Sequence, residues 1–237
     1  MELSIEKAAV ATICSIGAVD FLQVRNPDYI PRHNYTGEEL RQGFLEEIFE
    51  FQTHQHKIGY FVGTCEVLPD GHMLDRVDIE NDDPILADNM LHWIIEFPIH
   101  FGYAQEVDLQ LATVYQRLFA RIVGSVVAKH TQGRPYKVEG DDIYLLNQKA
   151  ELVSKLSVSI ATIGQKSILI HFGVNLTLEG TPTDRHQLSS LCQLGLVSSY
   201  DRDPVTFGVL SFANEVTEFF AKEVSGILEA MKKVNTV

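Results

Sequence analysis

Basic residues are scarce in this sequence. Its 237 residues include 19 Lys and Arg against 32 Asp and Glu, which gives a formal net charge of −13. A surface that binds duplex nucleic acid or an anionic membrane needs clustered Lys and Arg. The composition therefore predicts a protein that binds neither nucleic acid nor membranes.

Cysteines and long apolar runs are scarce as well. Cys14, Cys65 and Cys192 form neither a disulfide framework nor a CxxC zinc motif. No apolar run approaches the roughly 20 residues that a membrane-spanning helix needs. The first residues include Glu2 and Glu6 and lack the basic stretch of a signal peptide. These absences predict a cytoplasmic protein.

No Pro-, Gly- or Ser-rich linker and no internal repeat divides the chain. We therefore expect one α+β domain over residues 1–237. It comprises an N-terminal extension at 1–30, a core at 31–200 and a C-terminal helix at 201–237.

Apolar periodicity predicts four helices and one long strand in addition to a hairpin. The helices are predicted over about 40–51, 85–97, 106–129 and 207–233. The first follows a capping box formed by Thr36 and Glu39. The strand is predicted over 58–68 and ends in a turn at 69–71.

A β-hairpin is predicted from strands at 155–163 and 167–176. Each strand alternates between bulky apolar residues and small or polar ones. A three-residue turn at 164–166 keeps the two small faces together. The resulting pairs are Ser159 with His171, Ser157 with Gly173, and Lys155 with Asn175, and a shift of two residues would satisfy the pattern equally well.

The small, polar face of this hairpin has two interpretations. Antiparallel sheets often expose one face to water, and such alternation is their ordinary signature. Solvent-facing strand positions usually carry larger polar residues, whereas Ser157, Ser159 and Gly173 have almost no bulk. Small residues leave room for a ligand against the backbone. A ligand groove on this face would be formed by Ser157, Ser159, His171, Gly173 and Asn175.

Three runs resemble the catalytic core of biotin and lipoate protein ligases. They are Gly140-Asp141-Asp142-Ile143-Tyr144-Leu145, Lys155-Leu156-Ser157 and Ile170-His171-Phe172-Gly173-Val174-Asn175-Leu176. From about Tyr35 to Leu210 the chain more closely resembles the prokaryotic family "domain of unknown function 366", which is classed with these ligases and with class II synthetases. The resemblance implies a biotin/lipoate ligase-like α+β fold, with an antiparallel or mixed sheet and helices packed on one face.

The resemblance also implies an enzyme that handles a carboxylate or acyl group through an acyl-adenylate or acyl-transfer step. Lys155 matches the ligase lysine that contacts the acyl carbonyl and the phosphate, and Lys149 is a competing match. Asp141 and Asp142 match the pair near the nucleotide phosphates and Mg²⁺, so ATP and Mg²⁺ are the implied cofactors. The implied partners are a small carboxylic acid or acyl substrate and an acceptor protein, and a homodimer is compatible with the resemblance.

The sequence departs from the ligases in one respect. Their Gly/Arg-rich loop, which wraps the acyl group and the phosphates, has no counterpart in residues 58–83. The alternative function is therefore a non-catalytic module that binds an acyl group or another small molecule.

Lipoyl and octanoyl transferases suggest a third interpretation. They share the ligase fold, use no ATP, and carry a cysteine nucleophile in the loop after the Gly-x-Asn strand, roughly where Cys192 falls. Cys192 equally fits a packing position between Leu191 and Leu194.

Two further candidates lie upstream. Asp88, His92 and Glu96 recur at every fourth position of the predicted helix 85–97, where they would bind a metal or form a hydrogen-bonded row. In the resembled family His92 would instead line the ligand pocket. Cys65 would face the same groove as Lys155, or serve as a small core thiol.

Overall fold

A computed structural model describes residues 11–24, 30–49, 55–98, 105–131, 135–146, 152–182, 187–196 and 207–234. Lys149 lies outside the described residues. The strands are β1 (Ala11–Ile16), β2 (Val19–Val24), β3 (His56–Val67), β4 (Ile85–Pro98), β5 (Tyr136–Glu139), β6 (Asp142–Leu146), β7 (Leu152–Lys155), β8 (Ser157–Ile163) and β9 (Ser167–Asn175). The helices are α1 (Phe44–Phe49), α2 (Arg76–Asn81), α3 (Gln105–His130) and α4 (Phe207–Met231).

The strands form a large mixed sheet and a small antiparallel one. The large sheet has the order β1-β2-β3-β4-β9-β8, and the small one has the order β5-β6-β7. In the large sheet β2 and β3 run parallel, whereas the other neighbours run antiparallel. The expected α+β fold with a mixed sheet is thus confirmed.

Helices α3 and α4 cover one face of the large sheet. Trp93 of β4 lies in the resulting core, where its ring contacts Phe119 of α3 and Phe212 of α4. A second apolar cluster lies on the other face and includes Phe44, Phe61 and Met90. Within the described part of the chain, no helix is both long and apolar enough to cross a membrane.

The predicted helix over 85–97 is wrong, because these residues form the central strand β4. Apolar layers cover both faces of β4, so nearly every residue from Met90 to Phe97 is buried. A strand buried on both faces loses its alternation and can mimic helical spacing. Asp88, His92 and Glu96 therefore do not share a helix face.

The predicted hairpin register is also wrong. Ser157 pairs with Val174 and Ser159 with Phe172, one residue away from the expected partners. Ser159 thus shares a face with Phe172, towards α3, where its Oγ accepts a hydrogen bond from Gln116 Nε2 at 2.9 Å. Because Ser157 and Ser159 of β8 are small, α3 can approach this strand closely. His171 lies on the opposite face of the hairpin.

Most of the other predicted elements are confirmed. Helices α3 and α4 match the predictions at 106–129 and 207–233, and β3 matches the strand at 58–68. The capping box is formed in part, since Glu39 Oε2 accepts from the Thr36 backbone N–H at 2.8 Å. Helix α1 begins only at Phe44, however, and is shorter than predicted.

Residues 31–35 lie along the edge of β3 and cross over Gly63. The backbone N–H of His33 donates to Val62 at 3.1 Å, and that of Tyr35 donates to Thr64 at 2.9 Å. A Cβ atom on Gly63 would lie only 1.7 Å from the His33 carbonyl oxygen. Glycine at this position therefore allows residues 31–35 to pack directly on the strand and places Tyr35 over the sheet.

Candidate functional site

A cavity of about 320 Å³ lies where the two sheets meet. Its lining comes from β3, β4, β8 and β9 of the large sheet, from β6 and β7 of the small sheet, and from residues 72–86. The volume is at the lower end of the range for small-molecule sites. It is the candidate functional site of this protein.

The inner floor of the cavity is apolar. Met90, Val158 and Ile160 line it, together with Cys65. Gly173 lies behind this floor, and a Cβ atom there would come within 2.7 Å of Met90 Cε. Burial raises the pKa of Cys65 to about 12, and the Glu39 charge adds to the shift. Cys65 is therefore a neutral thiol at physiological pH.

Lys155 lies at the mouth of the cavity, where the small sheet meets the large one. In the β6–β7 ladder Tyr144 is directly opposite Lys155, and strand alternation places Asp142 on the same side as Tyr144. Lys155 Nζ lies 2.9 Å from Asp142 Oδ1, and the Tyr144 hydroxyl donates to Asp142 Oδ2 at 3.3 Å. Asp142 thus positions the ammonium group.

Asp141 is held from the helix side. Its Oδ2 accepts hydrogen bonds from Ser159 Oγ at 2.6 Å and from Gln116 Nε2 at 2.8 Å. Because Gln116 belongs to α3 and Ser159 to β8, two separate elements fix this carboxylate. Asp141 and Asp142 therefore point to different partners, although they are adjacent in sequence.

Three further aspartates, Asp75, Asp78 and Asp83, line the cavity. Asp75 caps α2 by accepting from the backbone N–H of Val77 and of Asp78. Burial raises the pKa of Asp78, the charges of Asp75 and Asp83 raise it further, and Lys155 opposes the shift. These groups are therefore close enough to interact with Asp78.

An aromatic stack closes the inner end of the cavity. Tyr35 lies on the His171 ring at a centroid distance of 3.7 Å. His171 Nε2 lies 3.0 Å from His92 Nδ1. Burial lowers the pKa of His92 to about 4, and burial and His92 together lower the pKa of His171 well below its ordinary value. Both rings are neutral at pH 7.

Acidification is expected to destabilise the protein through this histidine pair. Unfolded histidine has a pKa near 6.5, so below that pH the unfolded chain binds protons that the folded chain excludes. The contribution of His92 to the unfolding free energy is thus fully present above pH 6.5. It is lost as the pH falls toward the pKa of His92 in the folded protein, about 4. For His92 alone, moving from pH 7 to pH 5 should lower the unfolding free energy by about 2 kcal/mol. Urea unfolding at both pH values measures this difference.

His92→Asn is the comparison, because asparagine keeps a polar atom near the Nδ1 position and does not titrate. The variant should lose less stability than the wild type between pH 7 and pH 5. An equal loss in both proteins would show that other groups cause the acid sensitivity.

The structure brings most of the predicted site residues to one place. Eight of them line the cavity: Lys155, Asp141, Asp142, Ser157, Ser159, His171, Asn175 and Cys65. His92 and Gly173 lie behind the lining, where they pack. Cys192 packs against the main core and is not among the lining residues.

Sequence reasoning missed Tyr35, Asp75, Asp78 and Asp83. The density of carboxylates between residues 75 and 83 was an available signal. No comparable signal exists for Tyr35, whose position depends on the close approach of residues 31–35 to Gly63. A site assembled by such a crossing is not visible in local sequence patterns.

Comparisons with known proteins show matches of different strength. An uncharacterised protein of Methanocaldococcus jannaschii is 28% identical over 206 residues, which cover 85% of this chain and 80% of that protein. The solved structure of a protein of unknown function from Pyrococcus horikoshi has a TM-score of 0.72 and 26% identity, and the match covers 92% of this chain and 99% of that one.

The fold also matches a biotin protein ligase from Leishmania major in complex with biotinyl-5-AMP. The TM-score is 0.45 with 12% identity, and the match covers 94% of this chain and 83% of the ligase. A likeness at this level carries no argument about activity.

The sequence matches a family model as well as single proteins. The model described as "Domain of unknown function (DUF366)" matches residues 29–235. This confirms the resemblance predicted from the sequence, and the chain belongs to the DUF366 family.

Proposed function

We propose that this protein binds a small acyl compound in the cavity and acts on its carbonyl group, with Lys155 as the electrostatic anchor. The observation that carries the proposal is the position of the Lys155 ammonium, at the boundary between the apolar floor and the polar mouth. An acyl chain on Val158 and Ile160 would present its carbonyl oxygen to this boundary.

Residues 187–189 hold the backbone of Lys155 through two hydrogen bonds. Its N–H donates to the Gln187 carbonyl at 2.8 Å, and its carbonyl accepts from the Ser189 N–H at 2.9 Å. Asp142 then fixes the side chain, which is only 25% exposed. An ammonium positioned in this way stabilises the negative charge that develops on a carbonyl oxygen during acyl transfer, and it needs little rearrangement to do so.

The described residues do not fit the phosphates of ATP. The mouth carries five aspartates and one lysine, and that lysine is already paired with Asp142. One oxygen of Asp141 is occupied by Ser159 and Gln116. The described residues also contain no group of three or more side chains placed to hold a metal ion. The proposal therefore includes no step through ATP, and the Mg²⁺ site at Asp141 and Asp142 stays a prediction.

A binding module without catalysis is the second candidate. It is favoured by the chemistry of the lining, in which Cys65 is a neutral thiol and the Lys155 charge is largely balanced by Asp142. Such a module would bind acyl compounds and leave an activated ester, such as p-nitrophenyl octanoate, unchanged. Lys155-dependent release of p-nitrophenolate would favour the enzyme.

Lys155→Ala is expected to weaken acyl-compound binding by about tenfold or more. The loss of one charge-assisted hydrogen bond to the carbonyl accounts for this effect. The measurement is the increase in melting temperature with octanoate, octanamide, biotin and lipoate, since a ligand that binds only the native state raises it.

Lys137→Ala is the matched control, because Lys137 is an exposed lysine of β5 that pairs with Glu139 outside the cavity. This control should respond to the ligands as the wild type does. Equal responses in Lys155→Ala and Lys137→Ala would contradict the proposed role of Lys155.

A further inference from the structure

Met90 lies at the closed inner end of the cavity. Its side chain is among the lining residues, although it is only 1% exposed, and it belongs to the same apolar cluster as Phe61 and Cys65. In the sheet Met90 pairs with Asn175 of β9, which also lines the cavity. An acyl chain that starts at Lys155 and runs along the apolar floor therefore meets Met90 at its far end.

Gly173 provides the space in which the Met90 methyl group lies. It pairs with Val158 on one side and with His92 on the other, so it belongs to the cavity face of the sheet. A Cβ atom on Gly173 would lie 2.7 Å from Met90 Cε, 3.2 Å from Val158 Cγ2 and 3.3 Å from His171 Cε1. Three lining side chains thus meet over a position that carries no side chain.

Met90 is the most easily displaced member of this group. The His171 ring stacks on Tyr35 and is hydrogen-bonded to His92, and Val158 has a stiff β-branched side chain. Methionine is unbranched, with three rotatable bonds, and adapts to its surroundings. A methyl group added at Gly173 would therefore displace Met90 Cε, and the open volume beside Met90 is the cavity itself.

The volume of the cavity limits its ligand to a short chain. A water molecule takes up about 30 Å³ of the liquid and a methylene group is of similar size, so the cavity of about 320 Å³ holds on the order of ten such groups. Each methylene that becomes buried tightens binding by roughly fourfold. The residue that stops the chain thus decides which acyl compounds bind well.

We propose that Met90 sets the length of the acyl chain that this protein accepts, and that Gly173 holds Met90 in position by leaving room for its methyl group. The protein discriminates acyl compounds by the distance between Lys155 and Met90 Cε. This inference rests on the proposed function, since Lys155 is taken to hold the acyl carbonyl at the other end of the chain.

A series of unbranched carboxylates from butanoate to dodecanoate tests this inference. Isothermal titration calorimetry gives the dissociation constants, and the readout is the chain-length limit, beyond which further methylenes no longer tighten binding. Met90→Ala removes Cγ, Sδ and Cε, so it should raise the limit by about two or three methylenes. Gly173→Ala should lower the limit by about one methylene, since the interior is close-packed and the displaced methyl enters the cavity.

Met231→Ala and Gly226→Ala are the matched controls for these two variants. Met231 is 65% exposed at the end of α4, and a Cβ atom on Gly226 of the same helix meets nothing within 4 Å. Neither residue lines the cavity. Both controls should keep the wild-type chain-length limit.

Met90→Leu decides the test if Met90→Ala does not fold. Leucine and methionine have similar volumes, so this exchange should be tolerated, and circular dichroism checks the fold. The leucine side chain is the shorter of the two, so the limit should rise by about one methylene. An unchanged limit in a folded Met90→Leu variant would overturn the inference.

The double variant Met90→Ala/Gly173→Ala distinguishes displacement of Met90 from direct blocking by the added methyl. If the methyl acts through Met90, the double variant accepts longer chains than the wild type, because the methyl fills only part of the space that Met90 has left. A double variant whose limit is as low as that of Gly173→Ala would overturn the assigned role of Met90.

Lys155→Ala separates this inference from the proposed function. If Lys155→Ala weakens every chain and the limit is the same in the wild type, Met90→Leu and Gly173→Ala, the inference fails and the proposed function stands. If the limit moves with Met90 and Lys155→Ala binds as the wild type does, the role of Met90 stands and the proposed role of Lys155 fails. If no carboxylate binds the wild type, both are overturned.

Discussion

Gly63→Ala is expected to lower the free energy of unfolding by about 3 kcal/mol, at the upper end of the usual cost of overpacking. The added methyl would lie 1.7 Å from the His33 carbonyl oxygen and 2.6 Å from its carbonyl carbon. These are backbone atoms, so rotation of a side chain cannot relieve the clash. Residues 31–35 must move away from β3, which weakens the hydrogen bond from Tyr35 to Thr64. Urea unfolding followed by circular dichroism measures the loss.

Gly226→Ala is the control for this substitution. Gly226 lies in α4, and a Cβ atom there meets nothing within 4 Å. Alanine has the higher helix propensity, so this variant should gain about 0.5–1 kcal/mol. A neutral effect of Gly63→Ala would mean that residues 31–35 do not lie directly on Gly63. Because Tyr35 lines the cavity, Gly63→Ala should also weaken any ligand that binds there.

Trp93→Ala is expected to lower the free energy of unfolding by about 3–5 kcal/mol, as for other large buried aromatic side chains. Trp93 is fully buried in the centre of β4. Its ring contacts Phe119 and Phe212, and its Nε1–H donates to Thr217 Oγ1 at 3.0 Å. Alanine would leave a cavity between the sheet and both covering helices. Circular dichroism is the suitable measurement, since Trp93 is the one tryptophan in the sequence.

Phe219→Ala provides the comparison in α4. This aromatic side chain is 40% exposed, so its removal should cost about 1 kcal/mol or less. Similar losses in the two variants would contradict the central position of Trp93 in the core.

How far the fold could be predicted depends on how many faces of each element are buried. Helices α3 and α4 each present one apolar stripe to the sheet, so their 3.6-residue period was visible in the sequence. Strand β4 is buried on both faces, and its run of apolar residues contains no period-2 signal. The apolar residues of this segment imitated helical spacing and led to the wrong element, and Asp88, His92 and Glu96 were then placed on a helix face that does not exist.

The hairpin shows a second limit. Its second strand was located correctly, whereas the first begins only at Ser157, because Lys155 belongs to β7 of the small sheet and pairs with Tyr144 instead of Asn175. Alternation also does not identify the face that meets the solvent. The predicted register assumed that the hairpin buries only its bulky apolar face. Strand β9 is buried on both faces, so this assumption does not hold. Ser159 turned out to face α3, where Gln116 and Asp141 complete its hydrogen bonds.

The candidate site was predictable where its residues belong to short continuous runs. Asp142 and Lys155 were identified from such runs, and the β6–β7 ladder brings them into contact. Tyr35 reaches the cavity through edge packing on β3, which leaves no periodic trace, so its contribution could only be established from the fold. Asp78 belongs to α2, and the density of carboxylates around it was visible in the sequence.

The pairing of β4 with β9 also determines how the cavity can form. From Met90 to Pro98 the two strands are hydrogen-bonded neighbours, yet α3 and the whole small sheet lie between them in the chain. Closing so long a loop costs chain entropy before any contact compensates for it, and non-local pairing of this kind slows folding. Helix α3 can form from local contacts alone, whereas the floor shared by Met90 and Val158 requires the full closure. We therefore expect the candidate site to be completed late in folding, with its apolar surface exposed until β9 joins the sheet.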